Sequence, residues 1–230
     1  MNEQKPEKIE KPEELLRAEK LIDDAKASEA HELLDNFEKK EGLTLQDKVT
    51  SHLLRADLLH QQGRYDEVVT LAEQTYKESL GLGKNLQSVD CFIYMADALF
   101  FLVKPEKLHD IIKQGEELLK ALPQELSADY KQREAYLAFL KGKYYGITGE
   151  MNLALNSFKQ AQDLAEKTDF KRLKLGILGF FAIMAKNKGD LDLALVYLKK
   201  SLAIAKESKK KWSIAIIHMI LGDGSSQQSN

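Results

Sequence analysis

Small and apolar residues recur with a helical period along most of the chain and are separated by short polar breaks. In residues 142–161 the recurring positions lie three and four residues apart, first before and then after a glycine, which places each set on one face of a helix. They are Gly142, Tyr145, Gly149, Ala154, Phe158 and Ala161. Two helices joined by so short a turn form an antiparallel hairpin, so the pattern predicts a hairpin here.

The same spacing occurs in four other stretches of the chain. One hairpin cannot bury its own apolar face, so a stable array requires such copies. When the stretches are aligned on the turn, the turn residues are Ala25, Gly63, Val103, Gly149 and Gly189. Five residues after each turn comes a small or apolar residue: Ala30, Val68, Leu108, Ala154 or Ala194. The sequence therefore predicts five consecutive hairpins.

The breaks between apolar segments set the expected boundaries. The predicted helices span about 12–24, 27–40, 46–62, 65–80, 85–102, 105–121, 127–148, 151–167, 170–188, 191–207 and 210–221. They form one repeat domain over 11–222, with repeats at about 11–44, 49–83, 85–123, 127–168 and 170–208. The helix at 210–221 either caps the array or begins a further unit of a longer repeat protein. The polar ends, 1–10 and 223–230, are expected to be disordered.

The order of small, aromatic, glycine, alanine, phenylalanine and alanine residues in 142–161 resembles the tetratricopeptide repeat (TPR). The turns lie 38 to 46 residues apart, whereas the usual repeat has roughly 34 residues. This lengthened form is similar to the repeats of kinesin light chains. The resemblance implies an all-α, right-handed superhelical solenoid of antiparallel helix pairs, with about five repeats plus a C-terminal helix. An ordinary helical bundle whose small residues merely pack is the alternative.

Composition narrows the classes of protein. No stretch alternates with period two, so no sheet is expected. The first residues lack the apolar region of a signal peptide. The longest apolar runs, such as 177–185, fall far short of the roughly 20 residues that span a bilayer. With a single cysteine, Cys91, an internal disulfide is impossible. We therefore expect a cytoplasmic protein without a membrane role.

Candidate catalytic and metal-binding residues are sparse. His52 and His60 lie eight residues apart, whereas motifs such as H-E-x-x-H place the ligands four apart or closer. Cys91 precedes the aromatic-rich part of its predicted helix and has no accompanying histidine motif, which favours a small core residue over a nucleophile. We expect no enzyme activity, no metal and no cofactor.

In TPR arrays the first helix of each unit lines a concave groove. By resemblance, the groove positions here are Leu15, Glu19, Leu53, Asp57, His60, Ile93, Asp97, Phe100, Phe101, Tyr136, Phe139, Lys143, Ile147, Ile183, Lys186 and Asn187. One row of these positions is apolar in units one to four: Leu15, Leu53, Ile93 and Phe139. A neighbouring row is acidic in units one to three: Glu19, Asp57 and Asp97. Such rows suit an amphipathic peptide with apolar anchors and basic flanks. The alternative is that the apolar row belongs to the inner core.

The function expected from these rows is a non-enzymatic scaffold that binds a peptide or helix of a protein partner. The alternative is a peptide-sensing regulatory module of a signalling or transcription system. TPR proteins that clamp the C-terminal carboxylate of chaperones carry Lys, Asn and Arg where this chain has Leu15, Glu19, Leu53 and Asp57. Because a second carboxylate would meet like charge there, that partner is disfavoured.

The charge distribution is uneven. Residues 1–170 carry a net charge of −9 and residues 171–211 carry +8. The basic segment is rich in lysine and poor in interleaved aromatic residues, so nucleic acid is a disfavoured partner. Opposite charge at the two ends predicts weak head-to-tail self-association, unless the lysines merely solvate the outer face of the last helices.

Overall fold

A computed structural model describes residues 11–83, 85–122, 127–168 and 170–207. Within these ranges the chain forms ten α-helices and no strand. The helices are α1 (Glu13–Asp23), α2 (Ala27–Glu38), α3 (Leu45–Gln61), α4 (Tyr65–Ser79), α5 (Leu86–Phe101), α6 (Pro105–Lys120), α7 (Ala128–Thr148), α8 (Met151–Thr168), α9 (Lys171–Asn187) and α10 (Leu191–Glu207). The predicted all-α class is confirmed for these residues.

The observed helices agree closely with the predicted ones. Each of the ten begins within one residue of its expected start and ends within two residues of its expected end. The predicted helix at 210–221 and the two predicted disordered ends, 1–10 and 223–230, lie outside the described residues. None of the described helices is long and apolar enough to cross a membrane.

The helices pack as consecutive pairs. Each odd-numbered helix packs against the even-numbered helix that follows it, and each even-numbered helix also packs against the next odd-numbered one. In addition, α1, α3, α5, α7 and α9 contact one another in sequence. Because each pair contacts mainly its neighbours, the architecture is the predicted all-α solenoid, with the odd-numbered helices adjacent along one side.

The turn inside each pair has the same backbone geometry in all five units. The predicted turn residues all have positive φ: Ala25 (59°), Gly63 (73°), Val103 (53°), Gly149 (85°) and Gly189 (81°). In each turn the amide of the following residue donates a hydrogen bond of 2.9 to 3.1 Å to a carbonyl five residues earlier. This is the Schellman motif, which ends a helix at a left-handed residue. The turns at Ala25 and Val103 form this motif without a glycine.

The residues that recur at helical spacing form the core between paired helices. Five residues after each turn, the side chains of Ala30, Val68, Leu108, Ala154 and Ala194 are all buried. In the fourth unit Gly142 of α7 crosses α8 at the fully buried Phe158. A Cβ added to Gly142 would lie only 2.6 Å from the Phe158 ring. The small residue is therefore required by the close approach of the two helices.

Candidate functional site

A groove of about 550 Å³ opens along the side where the odd-numbered helices adjoin. All five of these helices, or residues at their ends, contribute to its walls. The lining residues are Lys11, Glu19, Asp23, Thr50, Leu53, Leu54, Asp57, Gln87, Asp90, Ile93, Tyr94, Gln132, Arg133, Tyr136, Phe170 and Lys171. A site that touches five consecutive repeats can contact an elongated ligand along its length.

The groove crosses the helices obliquely. In α1 it is lined by Glu19 and Asp23, near the C-terminal end, whereas in α3 it is lined by the middle of the helix. In α7 it is lined by 132–136, near the N-terminal end, and in α9 only Lys171 and the preceding Phe170 contribute. Each successive unit therefore contributes residues from nearer the start of its first helix.

The middle of the groove is apolar. Leu53 and Leu54 of α3 and Ile93 of α5 line it, and the last two side chains are almost completely buried. The aromatic rings of Tyr136 and Phe170 lie 6.1 Å apart, centroid to centroid, and continue this lining towards α9. Burial of apolar side chains of a ligand against such a surface is the main available source of binding energy.

Ion pairs lie towards both ends of the groove. Glu19 and Asp23 come from α1, and Glu19 accepts a hydrogen bond of 2.6 Å from Lys11. Towards the other end, the Arg133 guanidinium pairs in a bidentate manner with Asp90, at 2.9 Å from Nε and 2.7 Å from Nη2. This pair joins α5 to α7 and fixes one wall of the groove.

The groove brings together five of the sequence-predicted residues. These are Glu19, Leu53, Asp57, Ile93 and Tyr136. Sequence reasoning did not name Thr50, Asp90 or Arg133, each of which lies three residues before a predicted groove residue on the same helix face. The sequence signal for these three residues was a polar side chain one helical turn before a predicted groove residue.

Two members of the predicted apolar row lie in the hydrophobic core away from the groove, whereas Ile93 belongs to the core and also lines the groove. Leu15 is completely buried beneath the first helix pair, and Phe139 is only 6% exposed. The Phe139 ring packs between Phe158 of α8 and Phe180 of α9, with ring centroids 5.7 and 6.1 Å away. Neither side chain is accessible to a ligand in this structure. At these two positions the apolar row belongs to the inner core, as the alternative interpretation of the sequence proposed.

Three predicted groove residues instead form a buried cluster around one carboxylate. Lys143 of α7 donates a hydrogen bond to Asp97 Oδ1, and His60 Nε2 of α3 lies 3.1 Å from Asp97 Oδ2. The hydroxyl of Tyr136 donates to the same Oδ2 atom at 3.4 Å. Burial alone would raise the pKa of Asp97, but the charge of Lys143 and the contact with His60 lower it far below its usual range. Asp97 is therefore a carboxylate at any ordinary pH.

Aromatic rings surround the buried ammonium group. Lys143 Nζ lies 3.9 Å from the ring centroid of Phe100 and 4.8 Å from that of Phe101. Ring faces stabilise a cation that has lost its water. Phe100, Phe101 and Lys143 were predicted to face a ligand, whereas here they contact one another.

The remaining predicted residues lie outside the groove, near the turn ends of their helices. Ile147 of α7 and Ile183 of α9 are 40% and 45% exposed. Lys186 and Asn187, at the end of α9, are also exposed. The structure does not bring these four side chains into the groove described above.

The surroundings of Cys91 and His52 bear on the possibility of nucleophilic or metal chemistry. Burial and the nearby Asp90 charge raise the pKa of the Cys91 thiol to about 12, so it remains protonated and unreactive. Nδ1 of His52 lies 3.1 Å from Glu78, a local pair between α3 and α4. No group of three or more His, Cys, Asp and Glu side chains within the described ranges is arranged to hold a metal ion.

Comparison with solved structures finds the same architecture elsewhere. The crystal structure of aspartyl phosphate phosphatase F from Bacillus subtilis matches all of this chain and 74% of its own, with a TM-score of 0.53 and 12% sequence identity. The chain shares that helical-repeat fold. No protein-family model matches the chain, and no curated protein matches its sequence.

Proposed function

We propose that this chain is a non-catalytic interaction module of the TPR type that binds a segment of a protein partner in the groove. The observation that carries the proposal is the groove itself, which is lined by five consecutive repeats and is apolar at its centre. Protein segments that bind such grooves are recognised by apolar anchors at intervals and by charged residues between them.

The charges of the groove suggest the chemistry of the partner. Three carboxylates, Glu19, Asp23 and Asp57, lie towards the α1–α3 end together with one lysine, Lys11, so this end carries an excess of negative charge and a basic residue of the segment is favoured there. Apolar anchors would contact Leu53 and Ile93. The proposed partner is therefore an amphipathic segment with a basic flank, and a segment with an acidic flank is disfavoured at this end.

A peptide-sensing regulatory module is the second candidate function. Such a module would use the same groove, and the fold that this chain shares with aspartyl phosphate phosphatase F extends over its whole length. A sensor changes its conformation when the peptide binds, whereas a scaffold need not. Small-angle X-ray scattering with and without a bound peptide distinguishes the two: a change in the radius of gyration favours the sensor.

The binding test uses a library of fluorescent peptides that carry two apolar anchors with basic, neutral or acidic flanks. We expect the basic-flanked peptides to bind the purified full chain most tightly in fluorescence anisotropy. Glu19→Lys should weaken that binding, because the side chain lines the groove. Glu32→Lys is the matched control, since Glu32 is exposed on α2 and does not line the groove.

A second pair of variants tests the location. Gln132→Trp places a large side chain in the groove, and Gln114→Trp places the same side chain on an exposed position of α6. We expect only Gln132→Trp to block the peptide. Equal binding by both variants, with both folded, would show that the peptide does not occupy this groove.

A further inference from the structure

One carboxylate connects three consecutive repeats. Asp97 belongs to α5, its partner His60 to α3 and its partner Lys143 to α7. Asp97 and Lys143 are only 8% and 4% exposed. Other polar contacts between these helices include the Asp90–Arg133 pair, which joins α5 to α7, and the hydrogen bonds of Gln87 to Gln46 and Thr50, which join α5 to α3.

The cluster lies directly behind the groove. Tyr136 lines the groove, and its hydroxyl reaches Asp97 Oδ2 on the other side of the wall. The Tyr136 ring in turn packs on Phe170, which also lines the groove. The position of Asp97 therefore bears on two aromatic side chains of the binding surface.

Buried ion pairs add little net stability to a core, but in some proteins they specify its geometry. Apolar contacts are not directional, whereas a buried carboxylate must keep its donors within narrow ranges of distance and angle to offset its lost hydration. Here the contacts come from the two helices on either side of α5. Lys143 and Tyr136 of α7 donate hydrogen bonds to Asp97, and His60 Nε2 of α3 lies 3.1 Å from its Oδ2 atom. A change in the relative placement of α3 and α7 would break at least one of these contacts.

We propose that Asp97 is the positioning residue of the groove, because by holding His60, Lys143 and Tyr136 it fixes the separation of α3 and α7. Its role in recognition rests on the proposed function of the groove. If a segment binds against Tyr136, its affinity and the integrity of the cluster are thermodynamically linked, and each responds to the other.

The test measures the separation of α3 and α7 directly, without a ligand. Spin labels are attached at Lys48→Cys and Lys131→Cys, one on each helix, and the distance distribution is recorded by double electron–electron resonance. The native Cys91 remains unlabelled because it is completely buried. The test variant combines Asp97→Leu with Lys143→Met, which replaces the ion pair by apolar groups of similar size and so preserves folding.

We expect the double variant to shift or broaden the distance distribution while retaining the helical circular dichroism of the wild type. Glu116→Gln is the control. It removes the partner of Lys141 in an ion pair between α6 and α7, whose N–O distance is 3.0 Å and which does not line the groove. If the distribution is unchanged in the folded double variant, Asp97 has no positioning role, even if the melting temperature changes. Tyr136→Phe is a milder variant, because it removes only the hydroxyl that donates to Asp97. Its distance distribution is compared with that of the wild type in the same way.

The measurement separates this inference from the proposed function. A peptide library without binders would contradict the binding function but would leave the distance result unaffected. An unchanged distance distribution would contradict the positioning role even if peptides bind.

Discussion

Val103 has a backbone conformation that its side chain disfavours. It ends α5 with φ at +53°, where the equivalent residues of three other units are glycines. The left-handed region costs an L-residue roughly 1–2 kcal/mol, and β-branching makes the conformation rarer still. The side chain is 73% exposed, so little packing offsets this cost.

Replacement of Val103 by glycine should therefore stabilise the protein. We expect Val103→Gly to raise the free energy of unfolding by about 1 kcal/mol, after allowance for the greater freedom of glycine in the unfolded chain. Urea denaturation measures the change. Gly63→Val, the reverse substitution in the turn of the second unit, should destabilise. If Val103→Gly loses stability as well, the left-handed backbone conformation of Val103 is not strained.

The charge of Asp97 should appear in the pH dependence of stability. Its pKa is lower in the folded protein than in the unfolded chain, so its contribution is complete above the unfolded pKa of about 3.9 and is lost as the pH falls towards the folded value. Asp97→Asn leaves Lys143 buried without its counter-charge, which should cost about 3–5 kcal/mol near neutral pH.

Thermal melts of wild type and Asp97→Asn between pH 7 and pH 2 test this expectation. The difference in melting temperature should stay constant down to about pH 5 and narrow below about pH 4. Glu117→Gln, at an exposed position of α6, is the control and should show no comparable gap at neutral pH. A gap that widens in acid would mean that Asp97 is protonated in the native state.

At the scale of the helix, α7 contains two glycines with different surroundings. A Cβ at Gly142 would lie 2.6 Å from the Phe158 ring, whereas a Cβ at Gly146 would lie 3.6 Å from the Phe180 ring, an ordinary contact. Phe158 is completely buried and cannot move aside. Glycine in a helix interior otherwise lowers stability by roughly 0.5–1 kcal/mol relative to alanine.

The same substitution should thus have opposite effects at the two sites. We expect Gly142→Ala to destabilise by about 1–3 kcal/mol through overpacking, and Gly146→Ala to stabilise by up to about 1 kcal/mol. Denaturant unfolding of both variants provides the comparison. Stabilisation by Gly142→Ala would contradict the close crossing of α7 and α8.

The helices and turns could be predicted from the sequence because the information is local. The turns at Ala25 and Val103 were placed correctly without a glycine, since the small residues on either side kept the same spacing as in the glycine turns. Spacing also fixes which face of each helix packs, and this is why the buried positions of the second helices were predicted.

The path of the groove was not predictable in the same way. A repeat pattern assigns the same positions to every unit, whereas the groove shifts towards the N-terminal end of each successive first helix. Residues such as Phe139 therefore lie in the core, although their row includes the groove residues Leu53 and Ile93. The Asp97–Lys143 pair joins residues 46 positions apart, and no local pattern indicates which distant charges meet.

The whole molecule has an uneven distribution of charge. Net charge is −9 over residues 1–170 and +8 over residues 171–211. Among the described residues, α10 exposes Lys199, Lys200 and Lys206, whereas α2 exposes Glu29 and Glu32. In a solenoid, separation along the sequence becomes separation in space, so these charges lie towards opposite ends of the array.

We therefore expect two copies to associate weakly, the acidic end of one against the basic end of the other. Such a contact is heterologous and does not close, so it produces concentration-dependent chains rather than a defined dimer. Sedimentation velocity should detect them at 0.01 M salt and not at 0.15 M, because the Debye length falls from about 30 Å to about 8 Å. Lys199→Glu with Lys200→Glu should abolish the association, whereas Lys113→Glu, on the central α6, should not. A monomer at low salt would contradict the prediction, and an oligomer unchanged by salt would indicate an apolar contact instead.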